Sequence, residues 1–563
     1  MRREVSVVNK KVCSFPILFA LLALLIGICA VVFPASAQAA PTSTGSITVS
    51  GTVARSYDAY QIFSANVVDG DSDAKIATDL AWASDAVRDA ALPVLHSAGM
   101  PNSQTTAQEA AEWLNTDSHL TSALSAQLAR SLQSSGAVPV ALNAGTAAEL
   151  PCGYWLIVAD DDAISQGEAD AAPIMALVGG SAVTVKPKAA TPKVAKHVLE
   201  DSTAAWQKAA DATVADDLYW RLSATVPAGL TAYDTYAVQF VDTMSAGLDP
   251  SKVAASMRVY VAAGADGGFD AVSAGKDGRA GTEPAKGWTD ITAQCATKVA
   301  ADGKTFTVRT GDLIAALGGA DAFTAGARVV AVYNAPLNSA CNHGIAKGNP
   351  NEVYLRYPRS PFADQSGDAG FTRTPSDDAT AYTWDLALTK RGSDGDKPLA
   401  GAVLSITDDR GRTLAADGTW DAEGKATVTT GEDGRVTVSG VDSGKLEVRE
   451  LKAPKGYTAF EGTRSVTVKA EGLDVDQVAA AKPKLTITAE SPLRADSADG
   501  STGSLEASLI NTPTGTPPSI TTGGFMPSTG DMAMYAAAAA AVAGAALIVV
   551  ALLVKRGGGS HAE

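Results

Sequence analysis

Cysteine is scarce in this 563-residue chain: there are five, and only Cys152, Cys295 and Cys341 lie beyond the apolar N-terminal stretch. A disulfide-dense scaffold is thereby excluded, and robustness must come from another source. Cys295 and Cys341 fall within one expected domain and are the candidate disulfide pair, which leaves Cys152 as a buried free thiol. Excess basic charge is missing too. The formal net charge is −16, with acidic residues scattered and no basic patch, which argues against a nucleic-acid partner and suits a soluble surface protein. The five histidines, His96, His119, His197, His343 and His561, are too dispersed to ligate a metal. Asp69-Gly-Asp-Ser-Asp73 begins like a calcium loop, but Ala74 stands where the turn needs glycine and Leu80 where it needs glutamate, so it reads as a solvated turn. No glycine-rich phosphate cradle and no Ser/His/Asp arrangement stands out. Cys152, in Pro-Cys-Gly-Tyr-Trp, is the nearest thing to a nucleophile and reads as structural at a strand start. Neither enzymatic activity nor a cofactor is expected.

Long apolar runs occur only at the two ends. Arg2, Arg3, Lys10 and Lys11 precede the run Phe15 to Phe33, and small residues follow at Ala37 and Ala39, the pattern of a secretory signal over 1–39. A second run, Met532 to Val554, is long enough as a helix to cross a hydrocarbon core and is followed by Lys555 and Arg556, so a membrane anchor with a basic tail is expected over 531–556.

What lies between is too long for one core. Over 40–187, alternating strand pattern at Ser46–Ser50 and Ala182–Val185 encloses a helical middle, with a capping box at Thr106-Ala-Gln-Glu109 and Leu120, Leu124, Leu128 and Leu132 at four-residue spacing. This first domain should be α+β. Over 188–374 and again over 375–512, short alternating runs bounded by Gly, Asp, Pro and Ser predict two β-sandwiches, making the chain mainly β. Residues 513–530 are rich in Thr, Pro and Gly and read as an exposed, disordered stalk.

That stalk ends in Met526-Pro527-Ser528-Thr529-Gly530, ahead of the apolar run and basic tail, an order that resembles the L-P-x-T-G cell-wall sorting signal with Met in place of Leu. The resemblance implies a membrane transpeptidase, a sortase, that cuts after Thr529 and holds its carbonyl as a thioester for transfer to an amine. Val183-Thr-Val-Lys-Pro187-Lys188 resembles the pilin motif ending in Tyr-Pro-Lys-Asn, with Lys186 in place of Tyr and Ala189 in place of Asn. It implies Lys188 as acceptor, with Lys186 and Lys193 as rivals. Pro187 interrupts the strand there and leaves the ammonium on an exposed junction.

The two later domains resemble the collagen-adhesin A and B types of sortase-assembled Gram-positive major pilins, immunoglobulin-like sandwiches that form spontaneous Lys–Asn amide bonds beside an acid. The resemblance rests on Thr191-Pro-Lys-Val-Ala-Lys196, Tyr236-Ala-Val-Gln-Phe-Val-Asp242 and Asn349-Pro-Asn351-Glu-Val-Tyr-Leu in the middle domain. In the last domain it rests on Leu386-Ala-Leu-Thr-Lys390, Pro398-Leu-Ala-Gly-Ala, Val448-Arg-Glu450-Leu and Leu509-Ile-Asn511. It implies two crosslink trios, Lys196 with Asn351 and Asp242, and Lys390 with Asn511 and Glu450, each tying a first strand to a last. Strand phase gives an independent check, because residues two apart face one side. Lys196 is in step with Val194 and Val198, Asp242 with Val238 and Phe240, and Asn351 with Val353 and Leu355. Lys390 follows Leu386 and Leu388, Glu450 follows Leu446 and Val448, and Asn511 follows Leu505, Ala507 and Leu509, whereas Lys193 is out of phase. No comparable trio appears in the first domain.

The expected function is thus a structural subunit of a covalent surface pilus, supporting adhesion, with pilus and housekeeping sortases, identical subunits, minor pilins and peptidoglycan as partners. A wall-anchored adhesin or minor pilin displayed singly would keep the sorting signal and crosslinks without requiring Lys188. The host ligand is not encoded in any readable motif.

Overall fold

The computed structural model describes residues 43–51, 55–71, 74–116, 118–160, 169, 172–187, 191–228, 230–264, 287–480 and 483–515. The secretory signal, Lys188, the sorting motif Met526 to Gly530 and the C-terminal apolar run lie outside the described residues. Among the described residues no helix is long and apolar enough to cross a membrane.

The first domain has two sheets. Thr44–Val49 lies between Ala147–Pro151, antiparallel, and Val183–Val185, parallel. The larger sheet runs in the order Lys75–Trp82, Ser56–Asp69, Gly153–Ala159, Ile174–Val178, with Val140–Asn143 also on Ser56–Asp69. One of its faces packs Trp155 and Ile157 against Ile47 and Val49 of the small sheet. The other packs Leu156 and Val158 against three helices, α1 Asp85–Ser97, α2 Ala107–Asn115 and α3 Ser122–Ser134. Burial on both faces is why Trp155 to Val158 is an unbroken apolar run. Ser84, Thr106 and Thr121 cap the three helices, Thr106 in a full capping box with Glu109. The leucine spacing overruns the helix by one step: Leu124, Leu128 and Leu132 are buried, but Leu120 precedes the Thr121 cap and is 40% exposed.

In the middle domain, β1 (Val194–Glu200), β2 (Tyr219–Thr225) and β4 (Arg328–Asn334) are successive neighbours in a six-stranded sheet. Facing it is a seven-stranded sheet in which β3 (Gln239–Met244) and β5 (Asn349–Pro358) pair antiparallel. Trp220, Leu222, Val259, Val329 and Ala331 from the first sheet meet Phe240, Phe306, Val353 and Leu355 from the second. The second sheet does not stop at Thr374. Asp377–Tyr382 pairs antiparallel with Asn349–Val353 and parallel with Ala209–Asp211, so the expected boundary moves to Thr383. Pro375 interrupts a strand there without ending the sheet.

In the last domain, β6 (Trp384–Gly392) lies between Arg435–Val441, antiparallel, and β8 (Ser504–Pro513), parallel. The opposing sheet places β7 (Gly444–Lys452) between Val403–Thr407 and Thr463–Glu471. Leu386, Leu388, Leu505, Ala507 and Leu509 meet Leu404, Ile406, Leu446 and Val448 in the core.

The middle and last domains are in close contact. The Trp384 Nε1–H donates to Asp211 Oδ2 at 2.6 Å, Val214 N–H to the Gly440 carbonyl at 2.9 Å, and Arg412 is bidentate on Asp216 at 2.6 and 2.7 Å. Gly440 has φ +68°, and a Cβ there would lie 2.4 Å from Val214 Cγ2, so only glycine allows this approach. At the other end, Arg130 of α3 donates to the Ala232 carbonyl at 3.1 Å and pairs with Asp234 at 3.2 Å.

Candidate crosslink sites

Lys196, Asp242, Asn351 and Lys390 are 0% exposed, Asn511 2% and Glu450 6%, so all six in-phase residues point into their cores. Lys193 is exposed. An ammonium so enclosed loses its hydration unless partners replace it, and the two domains supply partners differently.

In the middle domain the lysine comes from one sheet and the other two groups from the facing sheet. Lys196 stands on β1; Asp242 and Asn351 stand on the paired strands β3 and β5, offset by one pleat because Met244 opposes Asn351. The Lys196 Nζ is ion-paired to Asp242 Oδ2 and donates to the Tyr333 hydroxyl at 2.9 Å. Tyr333 in turn donates to Asp242 Oδ2 at 3.1 Å and accepts from Asn351 Nδ2 at 2.8 Å. The Trp220 ring lies beside the Nζ, its centroid 5.5 Å away, while Tyr333 meets the Nζ with its hydroxyl rather than its ring face. Burial outweighs the attraction of Asp242 and pulls the lysine down to about 8, while burial pushes Asp242 up. Both shifts move the pair toward neutral amine and neutral acid, the forms needed for attack on a carboxamide. Asp242 Oδ1 and Asn351 Oδ1 are buried without a hydrogen-bond partner, and a proton on Asp242 is the donor that this pair lacks.

In the last domain the lysine and the asparagine share one sheet. Parallel pairing sets Lys390 opposite Leu509 and Gly392 opposite Asn511, while Glu450 reaches across from β7. The Asn511 Nδ2 donates to both Glu450 oxygens at 2.9 Å, and Lys390 Nζ lies 3.6 Å from Glu450 Oε1 and donates to the Leu509 carbonyl at 3.1 Å. Burial brings this lysine, too, down to about 8 against the pull of Glu450. Asn511 Oδ1 has no hydrogen-bond partner.

Asn349, two residues before Asn351, has a different role: it accepts from Asn342 N–H at 2.8 Å and donates to the Asn342 and Ala381 carbonyls, closing a turn. In the first domain Lys75 is the buried lysine. It donates to the carbonyls of Gly179 and Ser181 at 2.5 and 2.7 Å and pairs with Asp69, with no asparagine among its hydrogen-bond partners. Cys295 and Cys341 are free thiols, so the candidate disulfide is not formed. Cys295 Sγ contacts the Ile291 carbonyl, whereas Cys341 lies against His343 and Gly247, and each thiol is already packed in its own surroundings. Cys152 is free and buried, as expected.

Tyr333 is the residue that sequence reasoning missed. Its signal was present, since Val329, Ala331 and Tyr333 share one phase of β4 and the last carries a hydroxyl into an otherwise apolar face.

Comparison with known proteins adds the following. Residues 385–482 match the SpaA prealbumin-like fold domain. The trypsin-resistant surface T6 protein of Streptococcus pyogenes is 30% identical over 143 residues, a match spanning 24% of this chain and 24% of that protein. Among solved structures, the T6 backbone pilin of Streptococcus pyogenes superposes with a TM-score of 0.46 at 16% identity, covering 85% of this chain and 100% of that one. The major pilin SpaD of Corynebacterium diphtheriae gives 0.40 at 15%, covering 84% and 98%. Residues 385–482 thus carry a SpaA prealbumin-like fold domain, and about a quarter of the chain is similar to about a quarter of the trypsin-resistant surface T6 protein of Streptococcus pyogenes.

Proposed function

We propose that this chain is the structural backbone subunit of a covalently polymerised surface pilus. The observation that carries the reading is the pair of buried trios, each bringing a lysine depressed toward neutrality, an acid and an asparagine into one apolar pocket. Buried ion pairs seldom add net stability over apolar packing, so two of them in successive domains of a mainly β chain are better explained as reactants than as ornaments of the core. In each, the Lys Nζ attacks the Asn Cγ, a new amide forms, and ammonia leaves. Enclosure in contact supplies the effective concentration that the uncatalysed reaction lacks. The two products, Lys196–Asn351 and Lys390–Asn511, stiffen immunoglobulin-like sandwiches.

Polymerisation follows from the ends of the chain. A sortase cleaves between Thr529 and Gly530 and transfers the Thr529 carbonyl to Lys188 of the next subunit, the apolar segment holding each precursor in the membrane until then. A housekeeping sortase joins the finished polymer to peptidoglycan, and minor pilins decorate it. The chain itself has no enzymatic role in this scheme. Co-expression of the full chain with a pilus sortase should give a ladder of SDS-resistant multimers that disappears in Lys188→Ala. A ladder that persists moves the acceptor to Lys186 or Lys193, and no ladder from the parent chain refutes the polymer.

A further inference from the structure

The two trios differ in one respect that chemistry makes consequential. In the last domain Glu450 touches both reacting side chains, since Asn511 Nδ2 donates to both of its oxygens and Lys390 Nζ lies 3.6 Å from one of them. In the middle domain Asp242 holds the lysine, but the Asn351 amide donates to Tyr333 instead. The Tyr333 hydroxyl is therefore the group that joins Asn351 to Lys196 and Asp242, accepting from both nitrogens and donating to the carboxylate. It is fully buried, and its ring is wedged edge-on against Phe306, with centroids 4.8 Å apart, so the hydroxyl is fixed where the three groups meet.

We propose that Tyr333 is a catalytic residue of the middle-domain crosslink, its hydroxyl carrying a proton from the attacking Lys196 nitrogen to the departing Asn351 nitrogen. The proposal rests on the crosslink reading above. First, the Lys196 ammonium gives one proton to Asp242, leaving a neutral amine and a neutral acid. The Nζ lone pair then forms a bond to Asn351 Cγ. A second proton leaves Nζ for the Tyr333 oxygen as the phenol proton passes to Nδ2, so the phenol is regenerated. The Cγ–Nδ2 bond breaks and ammonia departs, the third lysine proton stays on the new amide, and Asp242 gives its proton to the ammonia, which leaves as ammonium. Burial holds the Tyr333 phenol far above its usual range, which keeps it a neutral relay rather than a base. The last domain has no need of such a relay, because its carboxyl already spans both nitrogens.

The test follows newly synthesised full chain over time, digests it, and quantifies two crosslinked peptide pairs by mass spectrometry, one joining Lys196 to Asn351 and one joining Lys390 to Asn511. Tyr333→Phe should slow the first by about a hundredfold and leave the second at its parental rate, and an unchanged circular-dichroism spectrum reports that the middle domain still folds. Phe306→Leu, which loosens the ring and keeps the hydroxyl, should form the first crosslink at near the parental rate. Equal slowing in both variants would assign the effect to packing and overturn the proposal, as would a parental rate in Tyr333→Phe. A parent chain with no Lys196–Asn351 pair refutes the crosslink reading itself, and the relay with it.

Discussion

Asp242 and Glu450 both reach their lysines from the facing sheet, Asp242 on the strand beside its asparagine and Glu450 across the core from its own, and each is the group whose loss should be most revealing. Replacing either by its amide removes the proton acceptor while changing little in shape. Asp242→Asn should restore one ammonia mass to the middle domain and Glu450→Gln one to the last, against a parent chain two ammonia masses lighter than its sequence dictates; intact mass spectrometry reads both. Each lost link also frees a loop of more than a hundred residues in the unfolded chain, worth about 5 kcal/mol by loop-closure entropy, so each variant should unfold at markedly lower temperature by calorimetry. At this scale the sequence was highly legible. Strand alternation put all six trio residues inward because a single face of each strand is apolar, and Lys196 between Val194 and Val198 shows why. What alternation does not carry is which strands come together, so the inward phase of Tyr333 was legible but its meeting with Lys196, 137 residues away, was not until β4 and β1 were seen in one sheet.

Among elements, the end of β1 carries a group that makes it sensitive to pH. Glu200 is buried beside Asp211, and burial first, then the neighbouring Asp211 charge, pushes it up to about 8. Its oxygens accept from Ser202 N–H and hydroxyl and from Asp211 N–H, and Asp442, from the adjoining domain, is likewise held well above the usual carboxylate range by burial and by Asp211. A carboxyl raised in the folded state favours folding in its protonated form. Its contribution is full below the unfolded value near 4.5 and is lost as pH rises through about 8. The contact between the middle and last domains should therefore melt at higher temperature at pH 6 than at pH 9, and Glu200→Gln should flatten that difference in a calorimetric series. Element boundaries were where sequence reading faltered. Four-residue leucine spacing ran past the Thr121 cap, and Pro375 looked like an end although the sheet resumes two residues later at Asp377.

On the scale of the whole molecule, the proposed links decide which residues feel a pull between neighbours. Asn351 is not on the final strand of its domain, because Phe371–Arg373 and Asp377–Tyr382 follow it in the same sheet. Tension applied from Lys188 to Thr529 would run through Lys196 into Asn351, along 352–389, and through Lys390 into Asn511. The chain between each linked pair would be spared. Stretching the intact polymer in a force spectrometer should show no event from residues 197–350, whereas Asp242→Asn should add one of about 500 Å, the reach of roughly 150 residues at ~3.4 Å each.

The parallel neighbours β6 and β8 add a consequence that holds even before any amide forms. The chain enters the last domain along β6 and leaves along β8, and these strands lie side by side in register from Asp385 opposite Ser504 to Gly392 opposite Asn511. Drawing the two ends apart slides one strand along the other, so the rungs between them yield together or not at all. A hairpin drawn at its open end would peel rung by rung; this one is a lap joint, at its strongest in the direction a fibre is tugged.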